Sequence, residues 1–227
     1  MNRARLAQTS YICAITAVFG VVAGCNRSAP PATTAGGSKS PPTGAAASTA
    51  PPPKSIDLER PIVRIETTAG VITAQLDGAR APGTVRNFIN CAREGFYDDT
   101  LVHYVAPDQM LVAGGYSADR KPKPARPPIR NEAHNGLKNT RGTIAMARDA
   151  ALIDSATTQF FINLADSPKS DHTGDSPTEY GYCVFGQITE GLDVAEKISK
   201  SPTTNGGGDL AQTPDPPVVI KSIDVVK

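Results

Sequence analysis

The sequence predicts a mainly β domain, a closed barrel with two helices, that follows an export signal and a linker. Three observations lead to this prediction. Short runs rich in β-branched residues recur after residue 60, only two stretches have helical spacing, and residues 26–55 consist almost wholly of Pro, Ala, Ser, Thr and Gly. The chain has 227 residues, enough for one or two domains.

The first 24 residues have the pattern of a secretory signal. Arg3 and Arg5 precede an uncharged, largely apolar stretch that is too short to span a membrane stably. It ends in the sequence Val-Ala-Gly-Cys, which resembles a bacterial lipobox, so residues 1–24 are predicted to be a lipoprotein signal peptide and Cys25 the lipidated residue. The alternative is an ordinary signal peptide with an incidental cysteine. We expect an extracytoplasmic protein of the bacterial cell envelope. If Cys25 is lipidated, the lipid anchors the protein in a membrane, and the sequence does not specify which membrane that is.

Residues 25–55 are predicted to be the lipidated cysteine and a disordered tether, and residues 56–227 the folded domain. Of the 30 residues at 26–55, 26 are Pro, Ala, Ser, Thr or Gly, which cannot bury enough apolar surface to offset chain entropy. In an extended polyproline-like form, at about 3 Å per residue, this tether would reach roughly 90 Å.

Charge and cysteine content exclude several functions. Residues 1–55 hold five bases and no acid, so the remaining residues hold all 22 acids against 18 bases. A mildly acidic domain without clustered bases is not expected to bind nucleic acid. Cys91 and Cys183 lie in apolar runs, which favours buried thiols, although an exported protein could also join them in a disulfide. No spacing of Cys or His residues indicates a metal site, and no cofactor is predicted.

The domain is predicted to open with a hairpin and a helix. Ile62–Glu66 and Val71–Leu76 are β-prone runs around a four-residue loop that ends in glycine. Pro82–Ala92 follows with apolar residues at helical spacing, a proline that suits the first turn, and Gly95 just beyond its end.

The rest of the domain is predicted to be short strands, one further helix and one long loop. Ser117–Lys138 has few apolar residues and four prolines, which predicts a surface loop. Gly191–Ile198 has apolar residues on one helical face. The predicted strands are Leu101–Val105, Met110–Ala113, Thr143–Ala147, Gln159–Asn163, Cys183–Ile188 and Val218–Val226.

Several ordered segments resemble the cyclophilin family, in particular its periplasmic bacterial branch, and together they span Ile62 to Val226. The segments are GFYDDT at 95–100, NEAHNGLKNTRGTIAMAR at 131–148, SATTQFFIN at 155–163, YGYCVFG at 180–186 and EGLDVAEKIS at 190–199. The resemblance implies a closed eight-stranded antiparallel barrel capped by two helices. It also implies peptidyl-prolyl cis–trans isomerase activity without cofactor or metal, proline-containing polypeptides as partners, and a monomer.

The resemblance places the site residues one by one. His103 and the Gly114-Gly115 pair align the stretch VHYVAPDQMLVAGGY without a gap, and Tyr104 then stands where the family has its catalytic arginine. The implied substrate-pocket positions are Gln109, Met110, Val112, Ala147, Phe161, Lys169, Ser170 and Tyr182.

Tyr104 predicts a weakened enzyme, because a neutral hydroxyl replaces a cationic donor. A charge-assisted hydrogen bond of about 1.5–3 kcal/mol corresponds to a factor of roughly 10 to 150 in rate. Tyr104 is either a weak donor to the substrate or a rim aromatic, and Arg148 is the nearest candidate for a relocated arginine. The alternative functions are a catalytically weak module that binds proline-containing segments or an envelope partner, and a purely structural lipoprotein.

Two other arrangements of polar residues are not expected to act in catalysis. His103 suggests a general base, but amide rotation needs no proton transfer, so a hydrogen-bonded strand histidine is the better interpretation. Ser155, Asp171 and His172 are the residue types of a hydrolase triad, but the sequence has no nucleophile elbow. The Asn131–His134 segment is expected to fix loop geometry.

Overall fold

The computed structural model describes residues 58–124 and 126–226. The predicted signal peptide, the lipidation site at Cys25 and the tether lie outside the described residues. Among the residues it does describe, no helix has the length and apolar character needed to cross a membrane.

Eight strands form a closed antiparallel barrel, as the sequence and the resemblance predict. Around the barrel the strands follow the order β1-β10-β3-β4-β6-β5-β7-β2. Their bounds are β1 Ile62–Thr67, β2 Gly70–Leu76, β3 Thr100–Ala106, β4 Met110–Ser117, β5 Thr143–Met146, β6 Phe160–Asn163, β7 Val184–Glu190 and β10 Val219–Val225. Two further strands, β8 Thr203–Thr204 and β9 Thr213–Pro214, form a separate small hairpin that was not predicted.

Two helices cover the barrel at the predicted places. Helix α1 spans Pro82–Arg93 and buries an apolar face, and α2 spans Leu192–Ser199. The N-terminus of α1 is capped from a distant loop: the carboxylate of Glu132 accepts hydrogen bonds from the backbone N–H groups of Gly83 and Thr84 at 3.1 and 2.9 Å. The 131–134 segment therefore does fix loop geometry, because it ties the long loop to α1.

The barrel interior is filled by side chains. Phe88 of α1 packs against Tyr97, Phe160 and Phe185, with ring centroids 5.1 to 5.3 Å apart. The cavity inside the barrel measures only about 20 Å³, which is room for a single water molecule. A peptide ligand must therefore bind on the outside of the barrel.

The remaining differences from the sequence predictions are small. Strand β4 continues to Ser117, four residues beyond the predicted end, and the loop after it contains a short 3₁₀ helix at Ala133–Asn135. Cys91 and Cys183 are both buried free thiols, so the first of the two interpretations is confirmed. Burial raises the pKa of the Cys183 thiol to about 11, which keeps it protonated at neutral pH.

Candidate functional site

The outer face of the barrel carries a row of side chains on neighbouring strands. Cross-strand partners run from Tyr104 on β3 to Val112 on β4, Phe161 on β6, Ala145 on β5 and Val184 on β7. Directly paired residues of adjacent strands point to the same side of a sheet. The row thus places Val112 directly beside the tyrosine at the family's arginine position and continues through Phe161, Ala145 and Val184 on successive strands.

A small apolar cluster forms around Phe161, separate from the main core. We call it the outer-face pocket, after the substrate site that the resemblance implies on this face. Ala145, Phe161 and Val184 are its buried members, and Val112, Leu137, Ala147 and Tyr182 are partly exposed around them. Phe160 belongs instead to the core inside the barrel. The two neighbouring phenylalanines therefore point in opposite directions, with Phe161 on the side that the resemblance implies.

The Tyr182 ring forms one wall of the outer-face pocket. It packs edge-on against Phe161, with ring centroids 5.6 Å apart and an interplanar angle of 83°. Gly181 has a φ of +77°, and a Cβ there would lie 2.6 Å from the backbone of Asp171 and His172. Glycine is thus required for the chain to pass this close and to present Tyr182 at the pocket.

Arg148 is a structural residue that holds this wall. Its Nε donates to the carbonyl of Gly181 at 2.9 Å and its Nη2 to that of Pro177 at 2.7 Å, while Nη1 donates to the carbonyl of Asp149 at 2.8 Å. The guanidinium is buried, and its Cζ lies 5.0 Å from the centroid of the Tyr182 ring. All three nitrogens are engaged by the protein, so Arg148 does not fill the role of a relocated substrate-binding arginine.

Four other predicted pocket positions surround the cluster. Met110 is half-buried on the same face of β4 as Val112, and Gln109 is exposed in the β3–β4 turn. Lys169 and Ser170 lie in a short 3₁₀ helix, Pro168–Ser170, next to Tyr182. The carbonyl of Ser170 accepts the backbone N–H of Tyr182 at 2.9 Å, so this helix borders the pocket wall.

Asn139 is a buried link that the sequence did not reveal. Its side-chain amide donates to the carbonyls of Ser170 and Tyr182 at 2.9 and 3.3 Å, and its backbone N–H donates to Asp171 Oδ1 at 2.7 Å. These bonds hold the segment around Leu137 against the 169–171 segment. Both segments thereby keep a fixed position beside the pocket.

Three members of the pocket were not predicted. Ala145 precedes Ala147 by two residues and Val184 follows Tyr182 by two, so strand alternation could have identified both. Leu137 comes from an irregular loop, where no local pattern indicates which way a side chain points.

The suspected hydrolase residues do not form a triad. Ser155 Oγ donates to the carbonyl of Leu152 at 2.7 Å, Asp171 accepts from Asn139, and His172 Nδ1 lies 3.0 Å from the carbonyl of Tyr180. Within residues 58–124 and 126–226 there is also no group of three His, Cys, Asp or Glu side chains suited to a metal ion.

His103 is buried in β3 and is outside the outer-face pocket. Its ring packs against Tyr116 at a centroid distance of 4.8 Å, and its Nδ1 has no hydrogen-bond partner among the described residues. We expected both ring nitrogens of His103 to be hydrogen-bonded, and for Nδ1 this expectation is wrong. Burial lowers the pKa of His103 to about 4, although the carboxylate of Asp209 acts in the opposite direction.

The lowered pKa of His103 predicts a loss of stability in mild acid. The unfolded chain takes up a proton near pH 6.5, whereas the folded chain does so only near pH 4. The free energy of unfolding should therefore fall by about 3 kcal/mol as the pH drops through this window. Urea denaturation of the wild type and of His103→Gln at pH 7.5 and pH 4.5 measures the effect. The carboxylates titrate in both proteins, so only the difference between them reports on His103. If the free energy of unfolding depended on pH equally in both proteins, the prediction would be contradicted.

Comparison with known proteins identifies the family. Residues 62–225 match the model of the cyclophilin type peptidyl-prolyl cis-trans isomerase family. The chain is 46% identical over 165 residues to peptidyl-prolyl cis-trans isomerase A of Dickeya dadantii, covering 73% of this chain and 84% of that protein. It is 43% identical over 164 residues to peptidyl-prolyl cis-trans isomerase B of Escherichia coli, covering 72% of this chain and 99% of that protein.

Solved structures agree with the fold. A cyclophilin type isomerase of Cryptosporidium parvum, crystallised in the presence of the dipeptide Ala-Pro, aligns with a TM-score of 0.59 at 21% identity and covers 73% of this chain and 99% of its own. A cyclophilin from Hirschia baltica aligns with a TM-score of 0.58 at 21% identity, covering 76% of each chain. Together with the closed barrel and the sequence relatives, these matches show that the chain belongs to the cyclophilin family and is, at family level, a peptidyl-prolyl cis–trans isomerase.

Proposed function

We propose that the chain isomerises X–Pro bonds of exported proteins at the bacterial cell envelope, and does so less efficiently than family members that carry the catalytic arginine. The observation that supports a weakened isomerase activity is the row from Tyr104 to Phe161 on the outer face of the barrel. It combines an apolar surface suited to a prolyl ring with a neutral side chain at the position of the family's cation.

To catalyse isomerisation, the site must weaken the resonance of the X–Pro amide bond. Rotation about an X–Pro bond has a barrier near 20 kcal/mol and takes tens to hundreds of seconds without a catalyst. The apolar side chains around Phe161 can bind the proline ring and exclude the water that stabilises the planar, charge-separated amide. This environment favours the twisted transition state, and it needs neither metal nor covalent intermediate.

Reduced turnover is the expected consequence of Tyr104. We expect kcat/KM for an Ala-Pro peptide to be roughly 10- to 150-fold below that of a family member with arginine at this position, because one charge-assisted hydrogen bond is missing. A protease-coupled peptide assay on the full chain, run beside that enzyme, measures the ratio. Equal turnover would contradict the reduced-activity proposal.

Substitutions of Tyr104 separate its two possible roles. If the hydroxyl donates to the substrate, Tyr104→Phe should lower kcat several-fold, since one neutral hydrogen bond contributes about 0.5–1.5 kcal/mol. An unchanged kcat would show that Tyr104 is only a rim aromatic. Tyr104→Arg should raise kcat, because it restores the cation beside the half-exposed surface of Val112.

The second candidate function is a binding module for proline-containing segments or an envelope partner. The neutral Tyr104 favours it, since substrate affinity from the apolar pocket does not require the cation. Saturable peptide binding without any acceleration of cis–trans exchange would select this function over catalysis.

The location is proposed from the N-terminal sequence alone. A lipid on Cys25 and a tether over residues 26–55 would hold the domain outside the cytoplasm. Metabolic labelling with palmitate should mark the wild type and leave Cys25→Ala unlabelled. Labelling that persists in Cys25→Ala would contradict the anchor.

A further inference from the structure

Two exposed lysines border the outer-face pocket on adjacent segments. Lys138 follows the pocket residue Leu137, and Lys169 precedes Ser170, whose carbonyl is bonded to the backbone of Tyr182. Asn139 joins the two segments through its bonds to Ser170 and Asp171. We call Lys138 and Lys169 the lysine rim.

The positive charge of the lysine rim is only partly neutralised. Asp171 is the acid within reach of Lys138, at a distance of 3.6 Å, but its side chain is 11% exposed and also accepts two hydrogen bonds from Asn139. Lys169 has no hydrogen-bond or ion-pair partner in the described part of the chain. One ammonium group beside the pocket therefore faces solvent without a counter-charge.

Among the described residues, the β3–β4 turn on the opposite side of the site carries no charge without a partner. Tyr104 and Gln109 are neutral, and the exposed Asp108 next to Gln109 has Lys200 as its partner at 3.4 Å. Of these exposed charges, Lys169 is therefore the one without a counter-charge in the described part of the chain. Charges placed in this way discriminate among substrates by the charge of residues near the bound group.

We propose that Lys138 and Lys169 make the site selective for X–Pro substrates with an acidic residue close to the proline. This proposal rests on the proposed function, because it concerns the same pocket. It specifies which X–Pro polypeptides the pocket prefers. An extended peptide whose proline ring lies at Phe161 passes the rim, where lysine ammonium groups on flexible four-carbon stems can reach its carboxylates.

The proposal is tested with matched peptides of the form acetyl-Xaa-Ala-Pro-Ala-Xaa-amide, in which Xaa is Glu, Gln or Lys. Exchange spectroscopy on the full chain gives kcat/KM, and titration of the same samples gives Kd. We expect the Glu peptide to exceed the Gln peptide about two- to tenfold at low salt, as exposed charge pairs allow. The Lys peptide should fall below both, and the differences should vanish near 1 M salt, where the Debye length is about 3 Å.

The control variants isolate the lysine rim. The double variant Lys138→Gln, Lys169→Gln should lose the preference for Glu over Gln. Lys221→Gln, which removes an exposed lysine from β10 on another part of the barrel wall, should keep it. Equal kcat/KM and Kd for the Glu and Gln peptides on the wild type would overturn the proposal, as would a preference that the double variant retains.

The outcomes distinguish this proposal from the proposed function. If no peptide exchanges faster than it does alone, the enzymatic function fails, and the Kd values still decide whether the site selects acidic peptides. If the Gln peptide is turned over and the Glu peptide is neither turned over faster nor bound more tightly, the isomerase stands and the charge selectivity is overturned.

Discussion

Phe161→Ala is expected to lower kcat/KM for an Ala-Pro peptide by roughly 10- to 150-fold. The ring is 5% exposed and lies at the centre of the outer-face pocket, between Val112 on one strand and Ala145 on the other. Its removal takes away the central side chain of the pocket and the face against which Tyr182 packs, and a loss of about 1.5–3 kcal/mol of apolar contact corresponds to that factor. Exchange spectroscopy with the same peptide measures the change.

The neighbouring phenylalanine supplies a matched control. Phe160→Leu and Phe161→Leu make the same chemical change one residue apart on opposite faces of β6. Phe160→Leu should reduce the free energy of unfolding and leave KM unchanged, because Phe160 contacts only the core. Phe161→Leu should raise KM. The pocket assignment would be contradicted if Phe160→Leu changed KM as much as Phe161→Leu did.

Arg148→Met is expected to destabilise the fold by about 2–4 kcal/mol. It removes three hydrogen bonds from a buried guanidinium to backbone carbonyls, of which only the Gly181 carbonyl keeps a second side-chain donor among the described residues, Asn131 Nδ2 at 3.1 Å. Hydrogen bonds of charged groups contribute about 1.5–3 kcal/mol each. That loss is a large share of a typical domain stability of about 5–15 kcal/mol. Urea denaturation measures it, with the exposed Arg86→Met on α1 as the control, for which a change below about 0.5 kcal/mol is expected.

The same variant decides whether Arg148 has a catalytic role. Because all three of its guanidinium nitrogens bond to the backbone, the loss of activity in Arg148→Met should follow the fraction of unfolded protein and the displacement of Tyr182. Unchanged stability together with a tenfold or greater fall in kcat would contradict this, since it would assign the guanidinium to the substrate.

The barrel strands were predictable from their β-branched runs and, in β1 and most of β2, from the alternation of buried and more exposed residues. In β1 the burial pattern alternates without a break, so Val63 and Ile65 identify the core face directly. Strands β5 and β6 differ, because all four residues of each are buried. The core covers one face of these strands and the outer-face pocket covers the other. Alternation is thus absent at the strands that build the site, and the direction of Phe161 could come only from the resemblance.

Other parts of the site depend on contacts between residues distant in sequence. Asn139 bonds to Ser170 and Tyr182, which are 31 and 43 residues further along the chain. The capping of α1 by Glu132 spans 48 residues in the same way. A polar side chain in a loop carries no local signal for such a partner, because the partner is fixed by the closure of the barrel.

The central claim is that the pocket around Phe161 binds a prolyl ring although Tyr104 replaces the family's cation. Intermolecular nuclear Overhauser effects between the full chain and a labelled Ala-Pro peptide test it most directly. We expect contacts from the proline ring protons to the Phe161 ring and the Ala147 methyl group, together with accelerated cis–trans exchange. Contacts of the proline with a different surface, or none at saturating peptide, would contradict the claim.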